Sequence, residues 1–170
     1  MTQPVDLRPE HNVLIRKLRS ISPLSDQEQQ SLLSLPLSIQ EIPADEVIVR
    51  EGDRPFRSCL LVEGFTCRYK FTDEGKRQIF SFHTPGDIPD LQSLHLKTMD
   101  HSLGTLTKCK VAFITHESIS KLTRTCPRIG DMLWRDTLVD AAIFREWMIG
   151  IGRRSAYTRI AHLLCEVFMR

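Results

Sequence analysis

The sequence predicts a mostly β plus α fold class: an antiparallel β-sandwich or barrel, with helices before it and one long helix after it. Three observations predict this. Glycines fall at Gly52, Gly64, Gly75 and Gly86, at intervals of 12, 11 and 11 residues, the turn spacing of antiparallel sandwiches and barrels. Between them, Phe65, Cys67, Tyr69 and Phe71 alternate with Thr66, Arg68 and Lys70, the period of a strand with one buried face. From Asp131 to Ile149 neither proline nor glycine interrupts a helical pattern.

The elements follow in order. Residues 1–36 read as a helical segment. Ser25-Asp26-Gln27-Glu28 is a capping box, in which the Ser25 hydroxyl accepts from the Glu28 backbone and Glu28 reaches back. Leu32, Leu33 and Leu35 supply an apolar face, and Pro36 stops the helix. Residues 37–115 read as the β domain. Val47-Ile48-Val49 and Cys59-Leu60-Leu61-Val62 are short apolar runs of strand character. Thr72–Lys76 is a hairpin loop in which Gly75 is free to take positive φ. Phe80 and Phe82 alternate with Ser81 and His83 on the return strand, and a further pair around Ser102–Thr107 and Lys110–Thr115 completes the β domain.

Residues 116–152 read as helical. Glu117–Thr125 is a short helix and Pro127 starts another piece. Along the long stretch, Leu138, Ala141, Arg145 and Met148 recur at heptad-like spacing, with Asp136, Asp140 and Glu146 opposite. Such a helix either packs on its own β domain or meets a second copy. Its length, about 28 Å at 1.5 Å per residue, exceeds what a small barrel needs, so the dimer seam is the favoured reading. Gly150 and Gly152 predict a break or hinge, since each glycine costs about 1 kcal/mol against alanine in a helix interior. Residues 153–170 read as a hinge and a new helix, capped by Ser155 and carrying Ile160, Leu163, Leu164 and Val167 on one face. The apolar pattern is still running at Phe168-Met169-Arg170, so the natural chain is expected to continue.

Composition excludes several classes. The chain has 170 residues, enough for one domain with an appendage. A net charge of +2 means that charge alone does not imply strong nonspecific DNA binding. No stretch approaches the roughly 20 apolar residues of a membrane span, and the N-terminus lacks signal-peptide features, so a cytoplasmic protein is expected. The five cysteines are scattered without a C-x-x-C pair, as suits reduced thiols. There is no H-x-H for a cupin-type metal site, and no G-x-S-x-G, P-loop or H-E-x-x-H. No enzyme, catalytic residue or metal site is therefore expected.

The order of these elements, and their local sequences, resembles the Crp/Fnr family of transcription regulators. Ile42–Ile48 with Glu51-Gly52-Asp53, Cys59–Gly64, Thr72–Ile79 and Pro85-Gly86-Asp87 are similar to successive strands and turns of its cyclic nucleotide-binding-like domain. Gly152–Ala156 with Arg159–Leu164 resembles its hinge and the helix opening its DNA-binding domain. The resemblance implies a double-stranded β-helix, or jelly roll, and a homodimer joined along the long helix. It also implies promoter DNA as a partner, read through a winged helix-turn-helix absent from this chain, with RNA polymerase a further candidate. Arg153, Arg154 and Arg159 are then either phosphate contacts or solvated hinge charges. The rival reading is a stand-alone ligand-binding or oligomerisation module without DNA binding. No cysteine precedes Cys59, which excludes an N-terminal iron–sulfur cluster.

In cyclic-nucleotide members a Gly-Glu pair grips the ribose and an arginine pairs with the phosphate. Here Pro89 and Asp90 stand in place of Gly-Glu, and His101 in place of the arginine, with Asp100 beside it. Phe144 and Arg145 align with the purine-contacting pair. The resemblance thus implies a rebuilt site: no cyclic nucleotide cofactor, and either another small effector or none. The polar groups expected around an effector are Asp90, Gln92, His101, Ser102 and Arg145.

Overall fold

The computed structural model describes residues 9–169. The part of the N-terminal helical expectation that falls on residues 1–8, and Arg170, lie outside the described residues. Helix α1 (Pro9–Ile21) and α2 (Asp26–Leu33) come first. Seven strands follow: β1 (Ser38–Ile42), β2 (Val47–Val49), β3 (Arg57–Glu63), β4 (Thr66–Phe71), β5 (Arg77–His83), β6 (Ser102–Thr105) and β7 (Cys109–Thr115). A 3-10 turn at Leu91–Leu94 separates β5 from β6. Helices α3 (His116–Thr125), α4 (Pro127–Arg153) and α5 (Ala156–Met169) close the chain.

Local chemistry sets several boundaries where the sequence places them. Ser25 caps α2 in a complete capping box, accepting from the Glu28 amide at 3.3 Å while Glu28 accepts from the Ser25 amide at 2.7 Å. At Gly64 the backbone has φ +92° and a Cβ would lie 2.5 Å from the Lys108 carbonyl oxygen, so only glycine fits the turn into β4.

The strands form two antiparallel sheets, β1-β7-β3 and β2-β6-β4-β5. They face each other as in a jelly roll, but no ladder joins them into a closed barrel among the described residues. Strands β6 and β7, expected as a pair, separate into different sheets. Between the sheets lies one core: Val49 and Leu103 on one side, Cys59, Leu61, Val111 and Phe113 on the other. The alternate residues of the same two strands, Leu60, Val62, Ala112 and Ile114, join a second core with α1, α2, α3 and the first turns of α4. Strands β3 and β7 are thus buried on both faces, which is why they read as continuous apolar runs rather than alternating ones, while the edge strand β1 stays exposed.

Two further expectations are corrected. The alternation on β4 does not give one buried face. Cys67 and Tyr69 are buried, but Phe65 and Phe71 are exposed, and Thr66 on the other face is fully buried. The β4–β5 register shifts between Arg68 and Tyr69, where Phe80 is the extra residue on β5. On β5 the polar residues are the deeper ones: Ser81 and His83 are buried, while Phe80 and Phe82 are half-buried against α4. Finally, Gly150 and Gly152 do not break the helix. Helix α4 runs 27 residues, from Pro127 through both glycines to Arg153, about 40 Å. The chain turns at Arg154, whose backbone is extended (φ −102°, ψ 150°). Of the two helical glycines, Gly150 is buried and Gly152 is exposed.

Candidate functional site

Register fixes what faces the interior. Arg68 on β4 stands opposite Ser81 on β5 and Leu103 on β6. Directly opposed residues share a face, and Leu103 belongs to the inter-sheet core. The inner wall of the four-stranded sheet therefore presents a guanidinium. Its Nε donates to the Pro89 carbonyl at 2.7 Å, and its Nη1 pairs with Asp140 on α4.

A second ion cluster adjoins it. Lys17 on α1 reaches Asp87 at 2.6 Å and Asp136 on α4 at 3.3 Å. Asp87 Oδ2 accepts from the Thr84 amide at 3.0 Å and lies 3.6 Å from His83 Nδ1. His83 Nε2 meets the Ser81 hydroxyl at 3.0 Å. Between these groups and Gln92 a cavity of about 100 Å³ remains, well under the roughly 300 Å³ at which small-molecule pockets begin.

The environment sets the charges. Burial, reinforced by the Arg68 guanidinium, holds His83 down at about 4, so its ring is neutral near pH 7 and its contact with Asp87 is not an ion pair there. Burial works against an ionised Asp87. The His83 contact and the Lys17 ammonium outweigh it and hold that carboxyl below the usual carboxylate range. Burial raises Asp136 despite Lys17. Burial would lower Lys17, and the Asp87 and Asp136 carboxylates raise it instead.

The five residues expected around an effector do not form one cluster. Gln92 and His101 do meet: the Gln92 amide reaches His101 Nε2 at 3.2 Å, and His101 Nδ1 lies 2.9 Å from Asp100. This pattern suits a neutral ring that donates from Nδ1 and accepts at Nε2. Burial, then Arg68, lowers the His101 pKa. The ring stacks edge-on with Phe80 at 5.6 Å, and Phe80 does so in turn with Phe144 of α4 at 5.8 Å. Asp90 is 2% exposed and accepts from the Cys59 amide at 2.7 Å. Burial pushes it up to about 7, even with the Cys59 and Asp90 amides and Arg68 acting the other way. Ser102 accepts from the Glu51 amide at 3.0 Å. Arg145 is exposed on α4. Sequence reasoning missed Arg68, Lys17, Asp87, Asp136 and Asp140. Their ion-pair partners lie 70 or more residues away, and reading β4 as one-sided placed Arg68 in solvent.

The expected seam residues line one side of α4. Leu138 and Met148 are 50% and 59% exposed, Arg145 is exposed and Ala141 is half-buried. Trp134, 61% exposed, extends the same heptad spacing one step back. Among the described residues no group of three metal-ligating side chains comes together, and no helix is long and apolar enough to cross a membrane.

Comparison with known proteins places this geometry. The family model described as cyclic nucleotide-binding domain matches residues 39–126. The transcriptional activator protein anr of Pseudomonas aeruginosa is 26% identical over 148 residues, which cover 86% of this chain and 60% of that protein. The transcriptional activator protein FnrL of Cereibacter sphaeroides is 22% identical over 152 residues, 89% of this chain and 60% of that protein. The chain thus spans about 60% of the length of these curated relatives. Among solved structures, FixK2 from Bradyrhizobium japonicum superposes with a TM-score of 0.71 at 25% identity, over 78% of this chain and 66% of that one. The c-di-GMP-responsive regulator CLP of Xanthomonas campestris shares the fold at 17% identity, with a TM-score of 0.69 over 84% of this chain and 72% of that one.

Proposed function

We propose, from the premise that this chain belongs to the cyclic nucleotide-binding domain family and is related to Crp/Fnr-type transcriptional activators, that it is the signal-sensing and dimerisation part of a DNA-binding regulator whose nucleotide site has been rebuilt as a closed ion network. One observation carries this reading. The inward guanidinium of Arg68, the group suited to hold a cyclic phosphate, is held instead by the Pro89 carbonyl and the Asp140 carboxylate. The space left beside it, about 100 Å³, has room for a few waters. The signal is then something other than cAMP or cGMP.

The same contacts give a route outward. Asp140 and Asp136 belong to α4, while Asp87 and Pro89 both belong to the segment leading into the 3-10 turn. A shift of that segment moves α4, and two copies joined at Leu138, Ala141, Arg145 and Met148 pass the shift through the Arg154–Ser155 turn to α5 and a following DNA-binding domain. The regions divide as 1–36 helical, 37–115 sensing, 116–152 dimerising and 153–170 connecting. Promoter DNA and RNA polymerase are partners of the whole regulator.

Thermal unfolding with cAMP or cGMP up to millimolar concentration tests the site. The midpoint is expected to stay within about 1 °C, and a rise of several degrees overturns the closed-network reading. Sedimentation at tens of micromolar tests the seam. A dimer is expected, and a strict monomer overturns that part.

A further inference from the structure

A cavity of about 390 Å³ lies away from the ion network, between β5 and the corner where α4 turns into α5, within the size range of small-molecule pockets. Its floor is aromatic: Phe82 of β5 lies against Trp147 of α4, ring centroids 5.5 Å apart. Ile79 and Ile160 wall it on the β5 and α5 sides. Among the described residues its polar lining is Gln78, Arg154, Arg159 and His162, with no carboxylate. Arg154 is committed to Glu146 and the Trp147 indole N–H to Glu166. Among the described residues the Arg159 guanidinium has no ion-pair partner.

Gly150 has a part here. A Cβ built on it would come no closer than 4.0 Å to another atom, the Cγ of Arg159. The missing side chain leaves open the wall beside the arginine. An apolar cleft floored by two aromatic rings inclined at 45° to each other, with the Arg159 guanidinium in its lining, selects a particular chemistry. The floor takes an aromatic body, and the guanidinium takes a carboxylate through two parallel hydrogen bonds.

We propose that the β5–α4–α5 cleft binds a small amphipathic monoanion, a flat apolar ring system bearing one carboxylate, with Phe82 and Trp147 beneath the ring and Arg159 on the carboxylate. A phosphate contact to DNA would need the arginine but not an aromatic-floored cavity. An occupant touching β5, α4 and α5 at once fixes the angle of α5 against the sensing domain. The site is separate from the ion network, so it stands or falls independently of how that network is read.

The test uses the whole chain in a Trp134→Phe background, which leaves Trp147 as sole tryptophan, with 2-naphthoate as probe and neutral 2-naphthamide as control. Saturable quenching of Trp147 is expected, with Kd about 1 mM or tighter for a probe of this size. Naphthamide and the Arg159→Gln variant should each bind at least tenfold more weakly. Gly150→Met, which fills the cleft with a better helix former, should abolish the quench while keeping the thermal midpoint. Quenching that stays linear, equal binding of the amide, or indifference to Arg159→Gln overturns the proposal. So does a Gly150→Met variant that folds and still binds. If naphthoate fails while Arg159→Gln weakens binding to duplex DNA, Arg159 is a phosphate contact and the proposal is likewise overturned.

Discussion

The two inner walls of the jelly roll face each other across one core and are built from opposite materials. The three-stranded sheet presents Cys59, Leu61, Val111 and Phe113, all apolar. The four-stranded sheet presents Arg68, Ser81 and His83 next to Leu103. An apolar wall is held by area and shape, and tolerates no loss of volume. A polar wall is held by pairing, so each group depends on a partner and the set changes together. The difference separates a fixed scaffold from a part that a signal can rearrange.

Mutations that break this contrast should rank by how much each wall tolerates. Leu61→Ala on the apolar wall, where the side chain is fully buried, should cost about 2–5 kcal/mol in chemical unfolding. Beside the other wall, Lys17→Met removes the ammonium shared by Asp87 and Asp136 and should cost about 3 kcal/mol. Replacing both partners together, Arg68→Met with Asp140→Leu, should come out within about 1 kcal/mol of the parent. A double loss as large as the sum of the two singles would show that the polar wall is as unforgiving as the apolar one.

Acid–base behaviour sharpens the comparison. His83 is held at about 4 in the fold, so the unfolded chain binds its proton first as pH falls below about 6.5. Its contribution lowers stability on acidification from about 6.5 to 4, by an amount on the order of 3 kcal/mol. Asp90 is pushed up to about 7, so the folded state holds a proton that the unfolded chain releases near 4. Its contribution lowers stability as pH rises from about 4 to 7. Relative to the parent, His83→Gln should therefore tilt the stability–pH curve downward with rising pH, and Asp90→Asn should tilt it upward. Parallel curves for all three proteins would contradict both environments. The smallest expected effect is at Gly150→Ala, which should add about 0.5–1 kcal/mol, because the new methyl meets open space.

How far the sequence reached follows the range of the interactions. The α2 capping box and the Thr72–Lys76 turn are closed by residues three or four apart, with Ser25 bonded to Glu28 and Thr72 to Lys76, and both were readable. The turn glycines were readable because positive φ is a local demand. Gly150 and Gly152 misled because helix propensity is a weak prior: α4 continues through both, one buried and the other exposed. The site was read least well. Gln92 and His101 were found, being nine residues apart and in contact. The Lys17–Asp87 and Arg68–Asp140 pairs join residues 70 and 72 positions apart, and no local pattern marks them. A bulge at Phe80 meanwhile shifts the parity of β5 against β4.

The sheet β1-β7-β3 serves two cores at once, with Leu60 and Ala112 turned to the helices and Leu61 and Val111 to the opposite sheet. Neither core can open without stripping a face from the same strands. Local openings that expose the amides of β3 and β7 are therefore unavailable, and those protons must wait for the whole chain to unfold before they trade with solvent. In deuterium exchange the two strands should form the slowest set, with a common opening free energy equal to that of global unfolding. The hairpin tip at Thr72–Lys76 should exchange within the fastest.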